Sequence, residues 1–446
     1  MKKRKGRKHP LVIGTLILTV TGLISRVIGF FYRIYLSRLF GEEGMGIYQL
    51  LSPVLALSFS LTAAGYQTAI SKFVAERTAR KGENVYQPML AGLSISLPLS
   101  LLCNGLVFCL ADYIGVELLL EERTVSMLRI LSFSIPLSAV HSCINGYFYG
   151  MKKTVTPAVA QLTEQLTRVV CVYAVSAYAS AHGMTPTINV AVLGLTVGEF
   201  ASMLVTILSV YRCYAKEPPT RNHTYLLPLY ADILRLSLPL TANRIILNLL
   251  QSVESVSIPA RLKFYGYDTS TALSVYGVLT GMAMPLIFFP NALTGSVAVL
   301  LLPIISENYA AGDMSAVKKA TLRTVKYCGA MGAACMVVFC VCGRFLGAFL
   351  FDSALAGHFI TTLGFICPFI YLNVTLSSIL QGLGMAGRIF LMNSFCLVIR
   401  LVFVFLVVPR YGITGYLWGL LISQLVLCLL YLWSLHRSFS IVCLQK

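Results

Sequence analysis

Apolar residues fill this chain in long runs, without the strict alternation of a half-buried strand or the narrow stripe of a soluble amphipathic helix. Runs of this length suit a membrane core, which needs roughly 20 apolar residues per helical crossing. Twelve such spans are predicted. They run at about Leu11–Phe40, Met45–Phe73, Met89–Ala111, Val125–Tyr149, Pro157–Ala181 and Thr187–Cys213, then Ala231–Ala260, Ala272–Ile305, Leu322–Ala348, Leu355–Leu383, Ile389–Pro409 and Thr414–His436. The expected fold class is an all-α polytopic membrane protein with about twelve transmembrane helices in two six-helix lobes. Gly and Pro interrupt several runs, as they do in membrane helices.

The obvious polar break contains Lys216-Glu217-Pro218-Pro219-Thr220-Arg221-Asn222-His223. It predicts an N-terminal lobe over 1–214, a cytoplasmic linker over 215–230 and a C-terminal lobe over 231–446. An even number of spans per half leaves both halves in one orientation, so a repeat between them is parallel. Landmarks recur in order. Arg26 matches Arg244, Tyr48 matches Tyr276, and Glu76 with Gly82-Glu83 matches Glu307 with Gly312-Asp313. Gly150-Met151 matches Gly384-Met385, and Arg168 matches Arg400. Gly194-x3-Gly198-x3-Ser202 matches Gly415-x3-Gly419-x3-Ser423. Small residues at every fourth position let helix backbones approach closely, so both stripes are read as packing seams.

Composition agrees: 57% of residues are hydrophobic, 12% are charged, and mean hydropathy is +0.78. A net charge of +18 could suggest nucleic acid, but the basic residues sit mostly in alternate short loops. That is the positive-inside pattern; it predicts cytoplasmic N- and C-termini and no nucleic-acid partner. Met1–His9 is basic and no A-x-A site closes the first run, which predicts a retained signal-anchor. The thirteen cysteines form no CxxC pair and indicate neither a disulfide framework nor a metal site. No Walker, G-x-S-x-G or H-E-x-x-H motif occurs, so the chain is not expected to be an enzyme or an ATP-driven pump, and no cofactor is expected. A coupling ion or the membrane potential could drive it; the sequence does not name which.

Charges at membrane depth carry the candidate chemistry, because each is costly there. Arg26 and Arg33 lie seven residues apart on one face of the first span, with Gly22 and Gly29 on the same stripe. That face is expected to be cationic and closely approachable. Arg168, Arg244 and Arg400 are the other deep cations; Glu164, Glu199 and Glu254 are the deep carboxylates. Glu164 and Arg168 stand one helical turn apart and can pair. Glu199 follows Gly198 on a packing stripe. Glu254 sits in Gln251-Ser252-Val253-Glu254-Ser255, which is expected to face a wet cavity. Five arginines against three carboxylates leave a cationic excess suited to an anionic substrate, since the guanidinium fork matches phosphate oxygens. Substrate contact is therefore expected at Arg26, Arg33, Arg244 and Glu254, and structural or coupling charges at Glu164, Arg168, Glu199 and Arg400. Pro285 and Pro290 interrupt the eighth span and are candidate hinges.

The run Ser25-Arg26-Val27-Ile28-Gly29-Phe30 with Tyr32-Arg33, the segment Gly41-Glu42-Glu43-Gly44-Met45-Gly46-Ile47-Tyr48-Gln49-Leu50, and Leu302-Pro303-Ile304-Ile305-Ser306-Glu307 carry a resemblance. The chain resembles the multidrug/oligosaccharidyl-lipid/polysaccharide (MOP) exporter superfamily, and within it the stage V sporulation protein B and MurJ-like polysaccharide biosynthesis proteins. The resemblance implies two lobes around a central cavity, alternating access, and a polyprenyl-diphosphate-linked saccharide or peptidoglycan precursor as partner. It also implies a bacterial cytoplasmic membrane and a role in sporulation; a monomer is expected. The family's cavity arginines carry over to Arg26 and Arg33, while Ile34 and Pro285 stand where MurJ-like proteins carry an acid and an arginine. Alternatives are a multidrug or cation antiporter, which would favour carboxylates in its cavity, and a non-transporting scaffold for envelope assembly.

Overall fold

The computed structural model describes residues 10–80, 84–216 and 226–444, and no strand occurs among them. They form helical rods: α1 (Pro10–Gln49), α2 (52–79), α3 (Gln87–Cys109), α4 (Thr124–Gly150), α5 (Val155–Ala181), α6 (Asn189–Lys216), α7 (Leu226–Tyr265), α8 (269–310), α9 (Met314–Phe351), α10 (Ala354–Gly382), α11 (Ala386–Tyr411) and α12 (Ile413–Leu444). Gly41 breaks α1, with φ 70° and ψ −173°, a conformation that a Cβ disfavours. The expected join between the first two spans falls at this residue.

Eleven helices among the described residues are long and apolar enough to cross a membrane. Nine coincide with predicted spans. The predicted span Ala272–Ile305 is two helices, Thr269–Phe288 and Asn291–Ala310, parted at Phe289-Pro290. Proline supplies no backbone donor, so the ladder stops there. α2 and α5 are helical but fall outside the eleven. A π turn over Ser60–Ala64 interrupts α2, and Gln161, Glu164, Gln165 and Arg168 dilute the apolar character of α5.

Packing divides the chain into two compact units. Unit 1 comprises Met1–Tyr32 and Leu50–Leu249; unit 2 comprises Arg33–Gln49 and Leu250–Lys446. The divisions fall inside α1 and α7. The segment 217–225, which holds most of the expected linker, lies outside the described residues, as do Lys2–Lys8 and Gly82-Glu83.

In unit 1, Tyr66, Ile70 and Val74 of α2 pack with Ile144, Tyr147 and Phe148 of α4 and with Ile233 of α7. Small residues permit this: a Cβ on Gly146 would stand 2.6 Å from Gln67 O, and one on Gly65 would stand 2.1 Å from Thr241 Oγ1. Arg77 is buried. Its guanidinium donates to Gln87 Oε1 at 2.5 Å and Asn84 O at 2.9 Å, tying the end of α2 to the start of α3. In unit 2, Ile305 of α8 packs with Leu376, Ile379 and Leu380 of α10 and with Tyr431 of α12. The end of α1 enters this unit, and a Cβ on Gly46 would stand 2.1 Å from Leu273 O.

Large apolar side chains remain exposed on several rods, including Leu102 of α3, Val170 and Tyr173 of α5, and Val341 and Phe345 of α9. Water-soluble surfaces seldom carry such patches; lipid tolerates them.

The parallel repeat has structural marks. α2 contains a π turn at Ser60–Ala64, and α8 contains one at Val278–Ala283. α4 and α10 end alike: Lys153 N donates to Phe148 O and Met385 N to Leu380 O, with Lys152 (φ 58°) and Gly384 (φ 77°) in the left-handed turn position. This equates Gly150 with Gly382, correcting the sequence match of Gly150 to Gly384 by two residues. Gly150 meets Ser71 O of α2 and Gly382 meets Leu302 O of α8, so both are packing glycines.

Candidate functional site

Both small-residue stripes are packing seams, and they position charge. A Cβ on Gly198 of α6 would stand 2.8 Å from Glu164 O, and one on Gly194 would stand 2.3 Å from Val172 Cγ2 of α5. On α12, Gly419 meets Phe403 and Gly415 meets Val407, both of α11. In each unit the fifth and sixth rods of the repeat are thus pressed together beside a half-buried arginine.

In unit 1 that arginine is Arg168, which donates to Glu164 Oε1 at 2.5 Å along one turn of α5. The seam brings Glu199 of α6 alongside. Its partner, which no sequence spacing indicated, is His141 of α4, with Nδ1 3.1 Å from Glu199 Oε2. Ligand-type atoms of His141, Glu164 and Glu199 lie within 4.8 Å of one another. His141 stands nine residues before the end of α4 and Glu199 ten residues into α6, about 13–15 Å from those termini. Both therefore sit at membrane depth.

In unit 2 the matching arginine is Arg400 of α11. Its Nη2 stands 2.8 Å from Glu254 Oε2 of α7, and Tyr416 of α12 donates to Glu254 Oε1 at 3.0 Å. Glu254 is 4% exposed, with both carboxylate oxygens engaged. The wet cavity expected around it is replaced by a three-helix polar contact, because the Arg400 and Tyr416 side chains converge on it. Only the match of Arg168 to Arg400 hinted at this partner.

The other sequence candidates are placed differently. Arg26 and Arg244, both in unit 1, are exposed and have no partner among the described residues. Arg33 is half-buried in unit 2. Nothing lies within 4 Å of a Cβ placed on Gly22 or Gly29, so the Arg26 stripe is open and approachable. Pro285 follows the π turn of α8, and Pro290 stands at the break. Unit 2 also holds a cavity of about 420 Å³ lined by Ser37, Arg38, Glu42 and Asp352 among others. There Arg38 caps α9, donating to Phe349 O at 2.5 Å and Leu350 O at 3.0 Å, and Ser353 Oγ donates to Glu42 at 2.5 Å.

Fold and buried charges together define a multi-pass, all-helical membrane protein. The chain belongs to the polysaccharide biosynthesis protein family; the family match spans residues 11–309. The MatE family matches residues 238–406. Stage V sporulation protein B of Bacillus subtilis (strain 168) is 29% identical over 97% of this chain and 85% of that protein. Among solved structures, the lipid II flippase MurJ in an inward closed conformation superposes with TM-score 0.73, at 14% identity, over 96% of this chain and 90% of that one. An inward-facing multidrug resistance MATE family transporter of the MOP superfamily superposes with TM-score 0.68, at 17% identity, over 96% and 98%.

Proposed function

We propose that this chain is a flippase or exporter that moves a polyprenyl-diphosphate-linked cell-envelope saccharide or peptidoglycan precursor across the bacterial cytoplasmic membrane by alternating access. Sporulation is the setting suggested by the name of its relative in Bacillus subtilis. The lobes 1–214 and 231–446 are the two repeats of this transporter, joined through 215–230, with both termini cytoplasmic.

One observation carries the reading. The three deep carboxylates are all engaged within their own units: Glu164 by Arg168, Glu199 by His141 and Glu254 by Arg400. Arg26 and Arg244, equivalent in the repeat, have no carboxylate among the described residues. An exposed guanidinium at membrane depth without an anion is expensive unless an anion visits it. A diphosphate supplies one, with oxygens suited to bidentate contact. We assign Arg26, Arg33 and Arg244 to the diphosphate, the Glu254–Arg400 and Glu164–Arg168 pairs to structure, and the break at Pro285 and Pro290 to hinge motion.

The test is charge reversal in a strain that depends on this chain. Arg26→Glu should leave the protein in the membrane, abolish complementation and cause a labelled lipid-linked precursor to accumulate. Normal complementation would overturn the diphosphate role. Drug efflux that depends on Glu254 would indicate a cation antiporter instead, and activity surviving loss of every deep charge would indicate a scaffold.

A further inference from the structure

We infer that His141, Glu199, Glu164 and Arg168 form a binding site for a single proton inside unit 1, carried on the His141 imidazole and shared with Glu199. The inference takes its functional meaning from the transport reading above, but the site is defined by geometry alone.

Four observations support it. First, His141 Nδ1 and Glu199 Oε2 stand 3.1 Å apart, and neither buried atom makes a hydrogen bond of proper geometry among the described residues. His141 is 9% exposed. Two buried polar atoms this close and both unsatisfied are costly unless a proton lets one donate to the other.

Second, the charges fall short by one. Glu164 and Glu199 are two carboxylates, and Arg168 is one permanent cation. With neutral imidazole the cluster holds one uncompensated negative charge at membrane depth, which is costly. One added proton brings the sum to zero.

Third, competing occupants fit worse. A divalent metal would leave the cluster positive beside Arg168, which already holds Glu164 at 2.5 Å. A hard cation prefers a shell of oxygens, whereas the atom facing Glu199 is a ring nitrogen at hydrogen-bond distance.

Fourth, the site is reachable. Nδ1 and Oε2 are themselves buried, but the His141, Glu199 and Glu164 side chains keep 11%, 16% and 19% exposure, so the cluster lies close to the surface of unit 1 rather than sealed deep inside it.

Among the described residues, Glu199 and Glu164 are the charges that face His141; Asp232, Arg235 and Arg244 lie on α7, which meets α4 through Ile233. Of the other helices packed against α4, α3 has no charged residue. On α2, Lys72, Glu76 and Arg77 lie in the last two turns, with Lys72 on Glu76 and Arg77 on Gln87. The binding step is simple: a proton from water adds to Nδ1, the resulting N–H donates to Glu199 Oε2, and release returns the proton to water.

The test uses the full chain with 15N-labelled histidine in lipid nanodiscs, followed by NMR across pH 5–9. One imidazole signal, absent from His141→Gln, should titrate as a single proton. In Glu199→Gln its midpoint should move by about one pH unit or more, the size expected when a charge partner is removed. His358→Gln, on unit 2, should leave it in place. If His141→Gln does not fold, Glu164→Gln and Glu199→Gln identify the signal by displacing it. A His141 signal that does not titrate, or that ignores Glu199→Gln, would overturn the site. A signal that follows sodium rather than pH would show a metal cation as the occupant and also overturn it. Complementation by Arg26→Glu decides the transport reading separately, because that residue does not touch this cluster.

Discussion

Arg400 Nη2 lies 2.8 Å from Glu254 Oε2, joining α11 to α7, and Tyr416 of α12 holds the other carboxylate oxygen at 3.0 Å. Removing one partner of a buried ion pair strands the other, at a typical cost of 3–5 kcal/mol. Arg400→Met should therefore lower the thermal unfolding midpoint of the detergent-purified protein strongly. The double variant Glu254→Gln/Arg400→Met should recover most of the loss. Equal melting of the single and double variants would show that the pair is not the source of the effect.

The seam of α5 on α6 predicts a steep dependence on size. Gly198→Leu forces side-chain atoms into a space where Cβ alone would stand 2.8 Å from Glu164 O. Overpacking of this kind costs about 1–3 kcal/mol. It should also separate Glu199 from His141, so unfolding midpoint and histidine titration should change together.

The Arg26 face predicts the opposite. Gly22→Ala and Gly29→Ala meet nothing within 4 Å. Replacing glycine by alanine inside a helix stabilises by up to about 1 kcal/mol. These variants should melt at the same temperature or higher. If complementation nevertheless falls, the open stripe serves a visiting ligand rather than the fold.

At the loop between α7 and α8, Asp268 caps α8 by accepting hydrogen bonds from the Thr271 hydroxyl and, at 3.4 Å, from the Thr271 backbone N–H. These bonds hold its carboxyl below the ordinary aspartate value. A lowered folded value means that the cap contributes above the unfolded aspartate pKa of about 3.9 and is lost as pH falls through the folded value. The protection factor of the Thr271 amide should hold from neutral pH down past the unfolded aspartate value of about 3.9 and fall as pH drops further through the folded value. Asp268→Asn should keep the cap and lose the pH dependence. Identical pH profiles in the two proteins would rule this out.

Much of the fold was legible because membrane helices are specified locally. Length, hydropathy and the Gly41 break marked the spans, and spacing on α5 alone implied the Glu164–Arg168 pair. Both Gly-x3-Gly-x3-Ser stripes read correctly as packing seams, because a missing side chain has the same meaning wherever helices meet. The burial of Arg77 was not legible: nothing in its surroundings signals that Gln87 and Asn84 accept from it.

By itself, the sequence determined an all-helical membrane chain, its internal duplication and its excess of deep cations, since all three depend on residue type and spacing. Tertiary structure alone decided which charges remain available. Whether Glu254 meets Arg400 or an open cavity, and whether Glu199 meets His141, depends on helices far apart in the chain arriving at one depth with one rotation. The same convergence left Arg26 and Arg244 without a carboxylate among the described residues. No periodicity within a single span encodes that outcome, because the electrostatic cost of a buried charge is settled by whichever neighbour the packing delivers.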